Sequence, residues 1–344
     1  MQHLYDHLIS LPNLFAAWLQ FKSGKEKKLD VQQFAYALED NLFDLYQTLQ
    51  EGRYRHGSYQ AFQIRDPKLR NIHKATVRDR VLHHAVAKVL DRAFDGGFIY
   101  DSYSSRDDKG THRAVRRLRR MAWRLSQNRT KTVWYLKCDV RKFFDSVDHV
   151  ELLKLVGKRI KDKQFMALVE DIVVSYETKP GKGIPLGNLT SQVFSNIYLN
   201  PFDQFMKRTL RIKEYVRYAD DFVILSCERD FLERLIPVIR TFLQDRLHLE
   251  LHPDKIYLKK WHQGLDFLGY VIYPRHAILR TKTKRRMLRK LKERVAEFQA
   301  GEITEEELLA TVNSYQGMLQ HCRGYGIDQL IRELVPIELP PREE

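Results

Sequence analysis

The sequence predicts an α+β chain, and three observations carry that reading. Two apolar, β-prone runs, Tyr215-Val216-Arg217 and Phe222-Val223-Ile224-Leu225, flank Tyr218-Ala219-Asp220-Asp221 and pair as a hairpin. A third run, Val133-Trp134-Tyr135-Leu136-Lys137-Cys138, reads as a strand ending in Asp139. Stretches with apolar residues at helical spacing lie on either side of these strands.

The first stretch, to about Gly57, reads helical. Asp30, followed by Gln33, is expected to cap a helix with Phe34, Ala35, Leu38, Leu42, Leu45 and Leu49 on one side. Phe62 to Ile72 reads as two short strands turning at Asp66-Pro67. Beyond Lys109-Gly110-Thr111-His112, Arg113, Arg116, Arg117, Arg120 and Arg124 recur at steps of three and four, which places them on one helix face. Val115, Leu118, Ala122 and Leu125 form the apolar stripe that docks this helix. So dense a basic face repels itself unless phosphates screen it, which favours contact with a nucleic-acid backbone. After Asp139 come Phe143-Phe144-Asp145 and a helix opening at Asp148, with Glu151 in capping-box position. Gly183-Ile184-Pro185-Leu186-Gly187-Asn188-Leu189-Thr190-Ser191-Gln192 is a glycine-bearing turn running into a helix. From about Leu279 the chain reads as a small helical subdomain. There Lys282, Lys284, Arg285, Arg286, Arg289 and Lys290 surround a stripe of Met287, Leu288, Leu291, Val295 and Phe298. Thr304 and Glu307 form a second capping box.

The acids matter most. Alone, an Asp-Asp pair is more often a solvated turn than a metal site. Burying two carboxylates unpaired costs several kcal/mol, and a divalent cation removes that cost while leaving positions open for phosphate. An acid ending one strand and an acid pair on a hairpin suit two-metal phosphoryl transfer, in which the ions sit roughly 3.5–4 Å apart. The 344-residue chain carries a formal net charge of +15, which suits a polyanionic partner. Cys138, Cys227 and Cys322 show no paired spacing, so neither a disulfide framework nor a zinc site is expected. With no apolar signal segment or membrane-length run, a cytoplasmic setting and no membrane partner are expected.

From roughly Tyr54 to Leu319 the order of these motifs resembles a reverse transcriptase of the right-hand polymerase fold. The wording Gly-Ile-Pro-Leu-Gly-Asn-Leu-Thr-Ser-Gln is similar to that of diversity-generating retroelement reverse transcriptases. The resemblance implies an N-terminal helical extension (1–57), fingers (58–132), a palm of antiparallel sheet with helices on one face (133–275, with an insertion around 150–182), a short helical thumb (276–335) and a disordered tail (336–344). It implies attack of a primer 3′ hydroxyl on the α-phosphate of a deoxynucleoside triphosphate. Asp139, Asp220 and Asp221 are then the acids that bind two Mg²⁺ ions, with Mn²⁺ as the alternative. Lys255 stands beside the leaving pyrophosphate, with general-acid help as its expected role.

By the same resemblance, Lys68, Arg70 and Arg65 grip the incoming triphosphate. Phe144 lies under its sugar, where a bulky ring excludes a 2′ hydroxyl. Leu186 and Gln192 belong to the nucleotide-binding motif. Arg106 and Lys109 belong to a motif that lies against template and incoming nucleotide, and Arg113, Arg116, Arg117 and Arg120 of the helix that follows are the expected nucleic-acid backbone contacts. Gly269, within Asp266-Phe267-Leu268-Gly269-Tyr270, is the primer grip, and Lys284, Arg285 and Arg289 track the duplex from the thumb. Asp145 and Asp148 are expected to be structural.

Many reverse transcriptases carry Pro-Gln-Gly where this chain has Pro185-Leu186-Gly187. Loss of that polar contact relaxes discrimination, and in the resembling family it accompanies misincorporation opposite template adenines. Implied partners are a template RNA and its RNA/cDNA duplex, deoxynucleoside triphosphates and a small basic accessory protein. No room is expected after the thumb for an RNase H, a maturase DNA-binding region or a homing endonuclease. Two alternatives stay open: a defence-associated or retron-like reverse transcriptase, and an RNA-binding scaffold with an idle polymerase site. Phe144 argues against an RNA-dependent RNA polymerase.

Overall fold

The structure, a computed structural model, describes residues 4–65 and 69–339. The expected turn at Asp66-Pro67, the cation Lys68 and the end of the expected tail, 340–344, lie outside the described residues. Strands are numbered in chain order: β1 (Gln60–Arg65), β2 (Leu69–Lys74), β3 (Trp134–Asp139), β4 (Tyr215–Tyr218), β5 (Asp221–Ser226), β6 (Tyr257–Lys260), β7 (Leu265–Phe267), β8 (Tyr270–Ile272) and β9 (Ala277–Leu279). They form a β1-β2 ribbon, a sheet of order β4-β5-β3-β6 and an antiparallel β7-β8-β9 sheet.

The chain divides into two compact units, and β3 and β5 pass from one to the other. The first comprises Met1–Gly110, Lys137–Val223 and Arg234–Ile256. Its core is the helix Val77–Phe94, packed against Leu11–Lys22 and Leu189–Gln204. Val81, Leu82, Val86 and Leu90 on the central helix are fully buried, as is Leu14 opposite them. Burying side chains of this kind contributes about 1.5–3 kcal/mol each. Thr76 begins the central helix by accepting a hydrogen bond from the Asp79 amide.

The helix expected to start at Asp30 is instead two helices, Leu29–Tyr36 and Leu38–Gln50, broken at Ala37. Lys28 takes the cap position, and Asp30 lies inside the first turn. Its carboxylate pairs with Arg80 (2.5 Å) and Lys74 (2.6 Å), ion pairs that a local pattern does not encode. Asp148 caps His149–Gly157 by accepting from the Glu151 amide, but the other half of the expected capping box does not form: the Asp148 amide donates to Tyr198 OH, and Glu151 pairs with Lys154.

The second unit comprises Thr111–Leu136, Ile224–Glu233 and Tyr257–Glu344. Its helix Thr111–Leu125 buries Val115, Leu118 and Ala122 and lies against β8, while Leu125 is only half-buried. The helices Thr281–Gln299, Glu305–Leu319 and Tyr325–Leu334 pack on one another, with Met287 and Leu291 inside. Thr304 and Glu307 complete the expected capping box. Among the described residues no helix is long and apolar enough to cross a membrane.

Candidate active site

Strands β4 and β5 are sheet neighbours joined by Ala219-Asp220, a connection short enough to require antiparallel pairing. Ala219 adopts a left-handed conformation (φ 51°) to close the turn. Asp139 ends β3, next to β5 in the sheet. The following amide, Val140 N–H, donates to the Asp220 carbonyl at 3.2 Å. That bond ties the Asp139 segment directly to the acid-bearing turn. The His252 amide donates to the Asp139 carbonyl at 2.8 Å, which fixes the 252–255 segment alongside. Lys255 Nζ there pairs with Asp139 Oδ1.

The acids are under-neutralised. Burial and the Asp139 charge push the Asp220 carboxyl up to about 6, against Lys255 and Arg70. Burial pushes Asp221 up to about 7, although Lys137 Nζ lies 3.1 Å from its Oδ2 and opposes the shift. Asp221 Oδ1 is buried with no hydrogen-bond partner. Hard carboxylate oxygens, one of them orphaned, fit a hard divalent cation. Among the described residues no group of three or more His, Cys, Asp or Glu side chains encloses an ion on its own. Mg²⁺ does not require such an enclosure, because it is held by one or two carboxylates and completed by water and substrate phosphate.

Behind the turn lies a residue that the motif reading missed. Arg217, fully buried in β4, uses all five guanidinium hydrogens. Nε and Nη2 donate to the two oxygens of Asp203 at 2.8 and 2.6 Å. Nη1 donates to Asn196 Oδ1 and to the Ala219 carbonyl, and Nη2 also donates to Ser102 Oγ. Tyr215 OH donates to Asp203 Oδ1 at 2.7 Å. The Arg217 amide donates to Asp101, and its carbonyl accepts from Tyr103, so the Ser102 segment lies along β4. The available signal was an arginine inside an apolar strand, which has to bring its own counter-charge.

In the first unit, β1 and β2 pair antiparallel, with Ile64 opposite Arg70 and Arg65 opposite Leu69. Arg65 and Arg70 are exposed, and the Arg70 charge acts on Asp220 as described. Phe144 is half-buried, and its carbonyl accepts from the Ile184 amide at 2.8 Å. This bond links the Asp139 loop to the Gly183–Gln192 segment. Phe143 is the core ring of the pair, at 2% exposure. Leu186 is half-buried and Gln192 exposed.

The expected nucleic-acid contacts divide into two kinds. Arg106 is turned inward, its side chain 7% exposed, bonding Asp95 and the carbonyls of Ile99 and Ser102. Its placement therefore speaks for a structural task rather than for template contact. Lys109 lies over the Tyr100 ring at 3.5 Å and donates to the Tyr100 carbonyl. In the second unit Arg113, Arg116 and Arg120 are exposed and Arg117 is half-buried. Gly269 (φ 87°) follows Leu268 (φ 51°) in the two-residue β7–β8 turn. Lys284 is half-buried, and Arg285 and Arg289 are exposed, with Arg289 3.7 Å from Glu293.

The comparisons with solved structures and with family models identify the fold of this mixed α/β chain as the right-hand polymerase fold. Consistent with this, 88% of the chain superposes on apo telomerase from Candida tropicalis with a TM-score of 0.55 at 11% identity, covering 65% of that chain. The chain belongs to the reverse transcriptase family: the model described as reverse transcriptase (RNA-dependent DNA polymerase) matches residues 64–272. Protein YkfC of Escherichia coli (strain K12) is 27% identical over 241 residues, or 59% of this chain and 63% of that protein. The group II intron-encoded protein LtrA of Lactococcus lactis subsp. cremoris is 22% identical over 310 residues, or 70% of this chain and 51% of that protein. The chain thus spans between about half and two-thirds of the length of these relatives.

Proposed function

We propose that the chain is an RNA-directed DNA polymerase that makes cDNA by nucleotidyl transfer. The observation that carries this reading is the Val140-to-Asp220 bond, which sets Asp139, Asp220 and Asp221 on neighbouring strand ends. Bound divalent ions would supply charge stabilisation for the attacking and leaving oxygens. Asp139, Asp220 and Asp221 would hold them, and Lys255 and Lys137 keep these acids partly neutralised beforehand. Lys255 passes from Asp139 to the leaving pyrophosphate and gives general-acid help there. Arg70, with Arg65 and Lys68, takes the triphosphate, and Phe144 excludes a 2′ hydroxyl. Residues 58–132, 133–275 and 276–335 are assigned to fingers, palm and thumb. Exposed arginines of Thr111–Leu125, together with Lys284, Arg285 and Arg289, contact the template–product backbone.

The finer reading is error-prone copying at template adenines, as in a diversity-generating retroelement, with a structured template RNA and a small basic accessory protein. Leu186 and the Gly187-to-Gln192 wording support it. A second reading, an intron-type reverse transcriptase, is favoured by the relative named as a group II intron-encoded protein. Primer extension on an RNA template with Mg²⁺ and deoxynucleotides, followed by product sequencing, separates the two. Errors concentrated at adenines, and reduced in Leu186→Gln, are the expected result. Uniformly faithful copying favours the intron-type reading, and no synthesis in any preparation that still binds RNA overturns both.

A further inference from the structure

The helix Leu189–Gln204 starts at Asn188, a residue type that ordinarily caps a helix by accepting a first-turn amide. Its side chain makes no such bond here. Asn188 is 2% exposed, and its Nδ2 donates instead to the His73 carbonyl at 3.0 Å. On the other side of Gly187, the Leu186 carbonyl accepts from the His73 amide at 3.3 Å. Both backbone polar groups of His73, in β2, are therefore held by the residues flanking Gly187. A Cβ on Gly187 (φ 110°) would lie 3.0 Å from Ile72 Cγ2, so the loop sits directly against the strand.

The arrangement has a cost. Asn188 Oδ1 is left buried without a partner, and the helix loses its side-chain cap. Helix stability alone would select the opposite side-chain orientation. What gains from the observed one is the hairpin: β1 is exposed along its whole length, as are residues 69–71, and an isolated two-stranded ribbon is marginally stable.

We infer that Asn188 is a positioning residue that clamps the β1–β2 hairpin, and Arg70 with it, onto the loop carrying Leu186. The clamp sets the spacing between the cation for the triphosphate and the side chain beside the base. This consequence rests on the polymerase reading, whereas the clamp itself does not.

Asn188→Asp tests it, because Asp caps helices as well as Asn but cannot donate to a carbonyl. Amide hydrogen exchange of the full chain without nucleic acid should show residues 69–74 opening at least severalfold faster, with 189–204 still protected. In primer extension the KM for deoxynucleotides should rise roughly 3- to 10-fold with kcat little changed, the scale of one hydrogen bond. Asn188→Ser, a good cap too short to reach His73, should behave alike and serves if the aspartate variant fails to fold. Exchange at 69–74 equal to the parent's, or protection lost across 189–204 as well, overturns the clamp. A parent that cannot polymerise, combined with faster exchange at 69–74 in the variant, would remove the polymerase reading and leave the clamp standing.

Discussion

Arg217 and Asp221 lie four residues apart in one hairpin, and their surroundings differ in kind. Every guanidinium hydrogen of Arg217 meets an acceptor, and Asp203 opposite it takes Tyr215 as well. Asp221 has one lysine, an orphaned oxygen and two neighbouring acids that push its carboxyl upward. A buried charge that is fully paired is a closed structural device, and removing one partner leaves the other exposed to the full desolvation penalty. Acids held together with too little counter-charge are the reverse, since their local stability is given up for something that binds there.

The contrast is best broken from its open side. Asp220→Ala should abolish DNA synthesis, a loss of at least about 10²-fold if several kcal/mol of charge stabilisation go with it. Its melting temperature should stay at or above the parent's. A variant that unfolds while its activity per folded molecule survives would move Asp220 to the structural class.

From the closed side, Arg217→Met should cost about 3–5 kcal/mol by stranding Asp203. The double variant Arg217→Met/Asp203→Leu should recover part of that, as denaturant unfolding of the full chain would show. A double variant no more stable than the single one would mean that the ion pair is not the unit that matters.

Asp221→Asn sharpens the comparison through pH. The folded Asp221 carboxyl is raised to about 7, so ionising it opposes folding. Its neutral form contributes no penalty below the ordinary carboxylate range, and the penalty grows as pH rises from about 4 to about 7. In chelated buffer the variant should match the parent near pH 4 and be the more stable near pH 8. A constant difference across that range would contradict the raised carboxyl. The smallest effect belongs to two ordinary, partly exposed ion pairs: Asp30→Asn, which releases Lys74 and Arg80, should lose about 1 kcal/mol at pH 7.

The acids were legible because each sits at a strand end or turn, where the period-two pattern stops and a charge stands against an apolar run. The cap at Asp148 and the capping box of Thr304 and Glu307 were also legible, because each closes within three residues. The break at Ala37 was not, nor the pairing of Asp30 with residues more than forty positions away. Arg106 is expected from the sequence to face template or incoming nucleotide, yet its guanidinium bonds Asp95, Ile99 and Ser102 inside the first unit. Side-chain charge says nothing about direction until the backbone around it is placed.

By itself, then, the sequence determined β1 to β5, the acid-bearing turn, the caps at Asp148 and Thr304 and the placing of acids at strand ends, since all of these depend on residues a few positions apart. Only the tertiary structure decided which cation stands by which acid, which asparagine leaves its helix for a distant strand, and which arginine is locked behind the turn. Those choices join Asp139 to Lys255, His73 to Asn188 and Ser102 to Arg217, across 115 or more positions of chain. Interactions of that range exist only once the intervening helices have packed, and no local pattern encodes them.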